Sequence, residues 1–378
     1  MFRFARLAAA AVFFTAAAAA HAQQPGDRFR ADDFEYGPRN DLAPGQSAEI
    51  WNPAKRKLME GGPLIGGTVR GTDPRIYCAM AGGGYDFVWV EMQHEAISWE
   101  QVSRMWRTCP GEAVPGVRVA YADEREIQQA TDMGGVVIIV PTIDSVEEAQ
   151  AAIDWTYFPP LGRRSSGGGQ GPGELWNRVP GGYRQTWNAN VVLVLMIETL
   201  EGVENAREIA KLPGVTALFA ASGDLGNFSG YREGDPQYDA LIEEVAAAAR
   251  EAGIHLCGPL RWADRPGVTC FQAATEGANI RRGAQAEIQQ ALERFSASGA
   301  GAGGGGVDAL VGELNAQCAP IVYEADCLAT VRRAATAGAA LPAAQQAIVL
   351  EALRRIVAGN PSQAAQIREA AAAAGLSL

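Results

Sequence analysis

The chain has 378 residues, 48% of them apolar, and a formal net charge of -11 at neutral pH. The apolar share is enough for a large buried core. The acidic balance argues against nucleic acid as a partner and points to a small ligand.

Residues 1–22, MFRFARLAAAAVFFTAAAAAHA, carry Arg3 and Arg6, a short apolar run and the small-residue pattern Ala20-His21-Ala22. That is the form of a cleavable secretory signal rather than a membrane span, so a periplasmic or secreted location is expected. Loss of the two arginines takes the charge from -11 to -13 in the mature chain. No later stretch is apolar and long enough to cross a bilayer. The six cysteines all lie beyond the signal, an even number in an oxidising compartment, and none has the spacing of a zinc or redox motif.

Residues 23–50 are polar and aperiodic and read as an extended lead-in. From 51 to 295 short β-rich runs alternate with helical patterns. Strands are predicted at 64–69, 87–91, 114–119, 136–141, 191–198, 217–221, 254–259 and 278–282, with helices such as DEREIQQATDM and SVEEAQAAIDW between them. Such alternation predicts an α/β fold, a (β/α)8 TIM barrel, with a doubly wound open sheet as the alternative. YFPPLGRRSSGGGQGPG lacks the Gly-Lys-Ser/Thr of a phosphate loop and reads as a loop over the active face. SASGAGAGGGG, 296–306, reads as a flexible linker. Residues 307–378 read as a small helical C-terminal appendage, with Val349, Leu353 and Ile356 on one apolar face and Cys318 and Cys327 as a possible staple.

Chemistry in a barrel of this kind gathers where strands end. The second strand ends in Glu91 and His94, the third in Arg118, the fifth in Glu198; Asp224 follows the sixth. Glu198 and Asp224 should converge from neighbouring strands and would repel unless a cation lay between them. Hard oxygen ligands suit Mg²⁺ or Mn²⁺. The plainer alternative makes Glu198 a helix cap and Asp224 a turn residue. The mature chain has two histidines, His94 and His255. His94 lies beside Glu91, which could orient its ring, and His255 opens a strand at the opposite end and reads as structural. Arg118 calls for an anion, either a substrate carboxylate or an acid such as Glu91. Lys55, Lys57 and Lys211 all fall outside the strands, so a Schiff-base lysine has no candidate.

From WNPAKRKL to about residue 290 the motifs PLIGGTVRGTDPRIYCAMAGGGYDFVWVEMQH, PGVRV, QQATDMGGVVIIVPTIDSVEEAQAAI, YFPPLGRR, MIETLEGVENAREIAKLPGV and SGDLGNFSG occur in order. In this the chain resembles the HpcH/HpaI aldolases, metal-dependent class II enzymes acting on 4-hydroxy-2-oxo acids. The resemblance implies Glu198 and Asp224 as ligands of Mg²⁺ or Mn²⁺, with Co²⁺ also possible, and His94 as general base. It also implies Arg118 on the keto-acid end of the substrate, with the Gly223 and Asp224 amides near its carboxylate. Asp132 matches an acidic position that lies near an adjacent subunit's site, in hexamers built from dimers. The implied reaction is cleavage to pyruvate and an aldehyde through an enolate. A related decarboxylase or condensing enzyme and an inactive oxo-acid-binding relative are the rivals. Four places depart from the family's pattern: Glu91 for Asp, Gln93 for an acid before the histidine, Ala221-Ser222 for Gly-Pro, and Arg281-Arg282 in the last predicted strand.

Overall fold

A computed structural model describes residues 46–111, 113–167, 175, 176, 178–297, 305–318 and 324–378. The signal, nearly all of the lead-in and most of the Gly-rich linker lie outside the described residues.

Eight parallel strands close a barrel in chain order: β1 (Leu64–Val69), β2 (Phe87–Glu91), β3 (Val114–Arg118), β4 (Val137–Val140), β5 (Val192–Ile197), β6 (Ala217–Ala220), β7 (His255–Pro259) and β8 (Val268–Thr275). β8 pairs back onto β1, so no strand edge is left open. Alternation turns Phe87, Trp89 and Glu91 inward on β2. The two aromatic rings fit because their neighbours have no side chain. A Cβ on Gly66 of β1 would lie 2.2 Å from the Phe87 ring, and one on Gly116 of β3 would be 3.0 Å from Phe87 and 3.4 Å from Trp89.

Among the described residues, six of the barrel's helices begin where a polar side chain caps free amides. α1 (Pro53–Met59) is capped by Asn52, α2 (Pro74–Ala81) by Asp73 and α4 (Glu124–Asp132) by Asp123. α3 (Trp99–Thr108) and α5 (Val146–Thr156) start with full capping boxes from Ser98/Gln101 and Ser145/Glu148. α6 (Tyr183–Asn190) precedes β5; α7 (Leu200–Ala210), α8 (Ser222–Ser229) and α9 (Pro236–Ala252) follow it.

Two expectations need correction. Residues 278–282 are not a strand but belong to α10 (Glu276–Ala297); the eighth strand is the preceding VTCFQAAT. Polar Thr269 and Gln272 interrupt its apolar pattern. Residues 157–167 follow α5, which has carried the chain away from the strand ends, so this loop lies at the floor of the barrel and not over its active face.

α10 is unusual for an eighth barrel helix. From Ile280 to Phe295 it has no buried residue, and Ile280, Ile288 and Leu292, spaced along one face, are 60%, 60% and 37% exposed. After it come α11 (Gly305–Cys318), α12 (Glu324–Ala339), α13 (Ala343–Gly359) and α14 (Ala364–Ala373). They bury a second apolar cluster around Leu314, Val331, Leu353, Ile356 and Ile367, separate from the barrel's. Disulfides join Cys78 to Cys109, Cys257 to Cys270 across β7 and β8, and Cys318 to Cys327. Among the described residues no helix is long and apolar enough to cross a membrane.

Candidate active site

Glu91 and Arg118 are register partners at the ends of β2 and β3, both directed into the mouth and both buried. Arg118 donates through Nε to Glu91 Oε2 at 2.6 Å and through Nη2 to the same oxygen. The other oxygen, Oε1, accepts the backbone N–H groups of Gln93 at 2.9 Å and His94 at 3.2 Å. Glu91 therefore holds the backbone where the strand turns into its loop. Of the two partners foreseen for Arg118, the acid is the one seen. Its Nη1 reaches Met196 Sδ at 3.7 Å on β5, and its guanidinium lies 5.7 Å from the centre of the Trp89 ring.

The reading that Glu91 orients the imidazole is corrected, since its oxygens are spent on Arg118 and on two amides. His94 is exposed, and among the described residues none hydrogen-bonds its ring.

Glu198, one residue past β5, is 1% exposed. Its Oε1 accepts the Thr142 backbone N–H at 2.6 Å and the Thr142 hydroxyl at 2.9 Å, while Oε2 is buried with no hydrogen-bond partner. Burial pushes this carboxyl above its ordinary range; the bonds from Thr142 oppose the shift and the nearby Asp224 charge adds to it. The Asp224 charge is thus near enough to disfavour ionisation of Glu198, as happens when two acids share a site.

Thr142 had no place in the sequence reading. It follows Pro141 at the end of β4 with φ 50°, the left-handed region that a β-branched residue rarely enters. Strain of this kind concentrates where a backbone group must point at a functional partner. Here that partner is Glu198. The sequence signal was slight, a threonine just beyond an apolar strand.

Asp224 stands in the first turn of α8, the helix that starts immediately after β6 and Ala221. Early amides of a helix have no partner within it, and an added Cβ on Gly223 would meet nothing within 4 Å, so this turn is open to an incoming carboxylate. Asp132 is elsewhere. It ends α4 at the floor, where Arg164 Nη2 lies 3.0 Å and Gln128 Nε2 2.6 Å from its oxygens. Arg164 is itself enclosed by the rings of Phe158 and Trp187, each 4.5 Å from the guanidinium carbon. Arg281 and Arg282, corrected above, lie on α10.

Among the described residues no group of three or more His, Cys, Asp or Glu could hold a metal by itself. The pair Glu198 and Asp224 nevertheless fits a hard divalent cation that shares its coordination with water and substrate: two carboxylates converge, and one has a buried oxygen without a donor.

A closed parallel barrel with two converging carboxylates and an arginine at its C-terminal mouth defines a candidate enzyme of the (β/α)8 class. The chain belongs to the HpcH/HpaI aldolase/citrate lyase family, whose model matches residues 68–280. It is 31% identical over 206 residues to a 4-hydroxy-2-oxo-heptane-1,7-dioate aldolase of Shigella sonnei, a match covering 53% of this chain and 78% of that one. An HpcH/HpaI aldolase/citrate lyase family protein of Burkholderia cenocepacia is similar in structure, with 25% identity and a TM-score of 0.57 over 64% of this chain and 99% of that one. A crystallised citrate synthase, 24% identical over 64% of this chain and 98% of its own, shares the fold with a TM-score of 0.54.

Proposed function

We propose that the protein is an exported, divalent-metal-dependent carbon–carbon lyase that cleaves a 4-hydroxy-2-oxo acid to pyruvate and an aldehyde. The observation that carries this reading is the buried, donor-less Oε2 of Glu198 at the mouth of the barrel, with the Asp224 charge near enough to be felt there. The family and its dioate aldolase relative support it.

A cation held by Glu198 and Asp224 would supply Lewis-acid polarisation of the 2-oxo group. The chain's own residues do the rest. The amides of Gly223 and Asp224 receive the substrate carboxylate, and Arg118, aimed by its bond to Glu91, stabilises negative charge as it grows on the keto oxygen. His94 takes the proton from the 4-hydroxyl. The C3–C4 pair moves to C3 as the C4 carbonyl forms, releasing the aldehyde and leaving the enolate of pyruvate, which is then protonated. No lysine competes for this role: Lys55 bonds Thr216 at the floor, Lys57 pairs with Asp86, and Lys211 pairs with Glu208.

The test is proton NMR of pyruvate with the purified protein in D₂O. Methyl protons should exchange with Mg²⁺ present and stop exchanging with chelator or in Glu198→Ala. Exchange indifferent to both would remove the basis of the lyase reading.

The working unit is a homo-oligomer in this proposal, with Asp132 contributing near a neighbour's site. What supports it is the bare apolar stripe of α10 beside a cavity of about 460 Å³ lined by Ile76, Met80, Tyr85 and Ile280. A monomer with α10 so uncovered from Ile280 to Phe295 exposes apolar surface that a second copy would bury. Light scattering should show Ile288→Glu lowering the assembled mass. Export is supported by the leader and by the three disulfides. Intact mass of the periplasmic product should begin at Gln23.

A further inference from the structure

His94 is an odd candidate for a base, because no described side chain fixes its ring and it stands in an irregular loop, exposed, between the end of β2 and the start of α3. A proton acceptor must nevertheless be placed closely, so whatever sets the backbone of residues 92–98 sets the base. Three contacts do so. Glu91 Oε1 accepts the His94 amide, and the capping box of Ser98 and Gln101 ties down the far end. The third falls on the residue directly after the histidine. Glu95 Oε1 accepts Arg70 Nε at 2.5 Å and is also reached by Arg70 Nη2.

Arg70 follows the last residue of β1. Its own backbone is pinned from the other side of the barrel's closing seam. Glu276, the first residue after β8, accepts the Arg70 amide at 3.0 Å and the Gly71 amide at 2.7 Å. One chain of contacts thus runs from β8 through β1 to the loop of β2 and ends on Glu95, the residue that follows the histidine.

We propose that Arg70, anchored by Glu276, is a positioning residue for His94 that acts through Glu95; this rests on the lyase reading for the role of His94 but not for the placement of its loop. The side chains of Arg70 and Glu95 are 54% and 26% exposed. A surface pair of that kind contributes little to global stability, so a role in folding alone does not explain three staves joined at this point.

The experiment compares Arg70→Gln, Glu95→Gln, the double variant and Arg70→Lys, all as full-length metal-loaded protein. In cleavage assays each single Gln variant should lose about ten- to a hundredfold in kcat with KM nearly unchanged. The double variant should be no worse than the poorer single, because the two share one interaction, and Arg70→Lys should recover part of the loss. Amide hydrogen exchange of residues 92–98 should quicken in Arg70→Gln while the melting temperature holds. The exchange readout stands whether or not the reaction is an aldol cleavage. Unchanged exchange, a rise in KM at constant kcat that would put Arg70 on the substrate, or multiplicative losses in the double variant would each overturn the proposal.

Discussion

The two ends of the barrel spend their charges differently. At the floor, carboxylates meet cations and amides: Asp132 has Arg164 and Gln128, and Asp86 has Lys57 and the Ile65 amide. Asn52 and Asn190 close a reciprocal pair of hydrogen bonds there, so α1 is sealed against the start of β5. At the mouth Glu198 has an oxygen with no donor, its partner Thr142 is held at a positive φ, and Asp224 adds repulsion rather than relief. The same burial that locks the floor leaves the mouth short of positive charge. A fold tolerates that deficit where a ligand supplies what the chain does not.

The largest expected effect tests the mouth. Glu198→Gln keeps an acceptor for Thr142 and removes the charge, so kcat should fall by roughly a thousandfold. In chelator the same variant should gain about 1 kcal/mol by urea unfolding, since an uncompensated buried carboxylate is gone. The floor should answer in the opposite way. Arg164 has a side chain 1% exposed, and Arg164→Ala strands Asp132, at a cost of about 3–5 kcal/mol. Should Glu198→Gln prove as damaging to stability as Arg164→Ala, the contrast between the ends would fail.

A smaller effect separates strain from hydrogen bonding at the mouth. Thr142→Val keeps the backbone donor to Glu198 but loses the hydroxyl bond of 2.9 Å, and kcat should drop about tenfold, the equivalent of one hydrogen bond to a charged group. Thr142→Ser should stay near wild type. Equal activity in Ser and Val variants would mean that the hydroxyl does not set the carboxylate.

Apolar continuity made much of this fold legible. VVIIV and VVLVLMI can be little else than staves buried on both faces, and the acids that follow such runs are conspicuous. The eighth strand was misplaced because polar residues interrupt its apolar run: Thr269 at the floor end and Gln272 further along broke the pattern, while Asn279-Ile280 imitated one. The first part of the loop after α5, residues 157–167, was put at the wrong end for a topological reason, as each helix returns the chain to the floor before the next strand; its glycine-rich remainder lies outside the described residues. Closeness in sequence also misled at Glu91. Lying near His94 in the chain, it turns its carboxylate to Arg118 on the neighbouring stave, a contact that register decides and local spacing does not show. Thr142 was out of reach, because a positive φ leaves no mark on residue choice when a β-branched side chain is held there by its partner.

The floor offers one finer test of the contrast, in its response to acid. His255 opens β7 with Nδ1 3.0 Å from Thr269 Oγ1, and burial, then the nearby Lys55 ammonium, pulls its pKa below the ordinary 6.5. The folded state therefore binds fewer protons than the unfolded chain in the window between that lowered value and 6.5, and stability rises with pH across it. Stability should be fully present above 6.5 and decline as acid charges a ring that already faces a cation. Urea midpoints should fall between pH 7.5 and pH 5 in the wild type, and the fall should be shallower in His255→Gln. Should the two slopes match, the acid sensitivity belongs to other groups, and the floor is electrostatically quieter than Lys55 and His255 suggest.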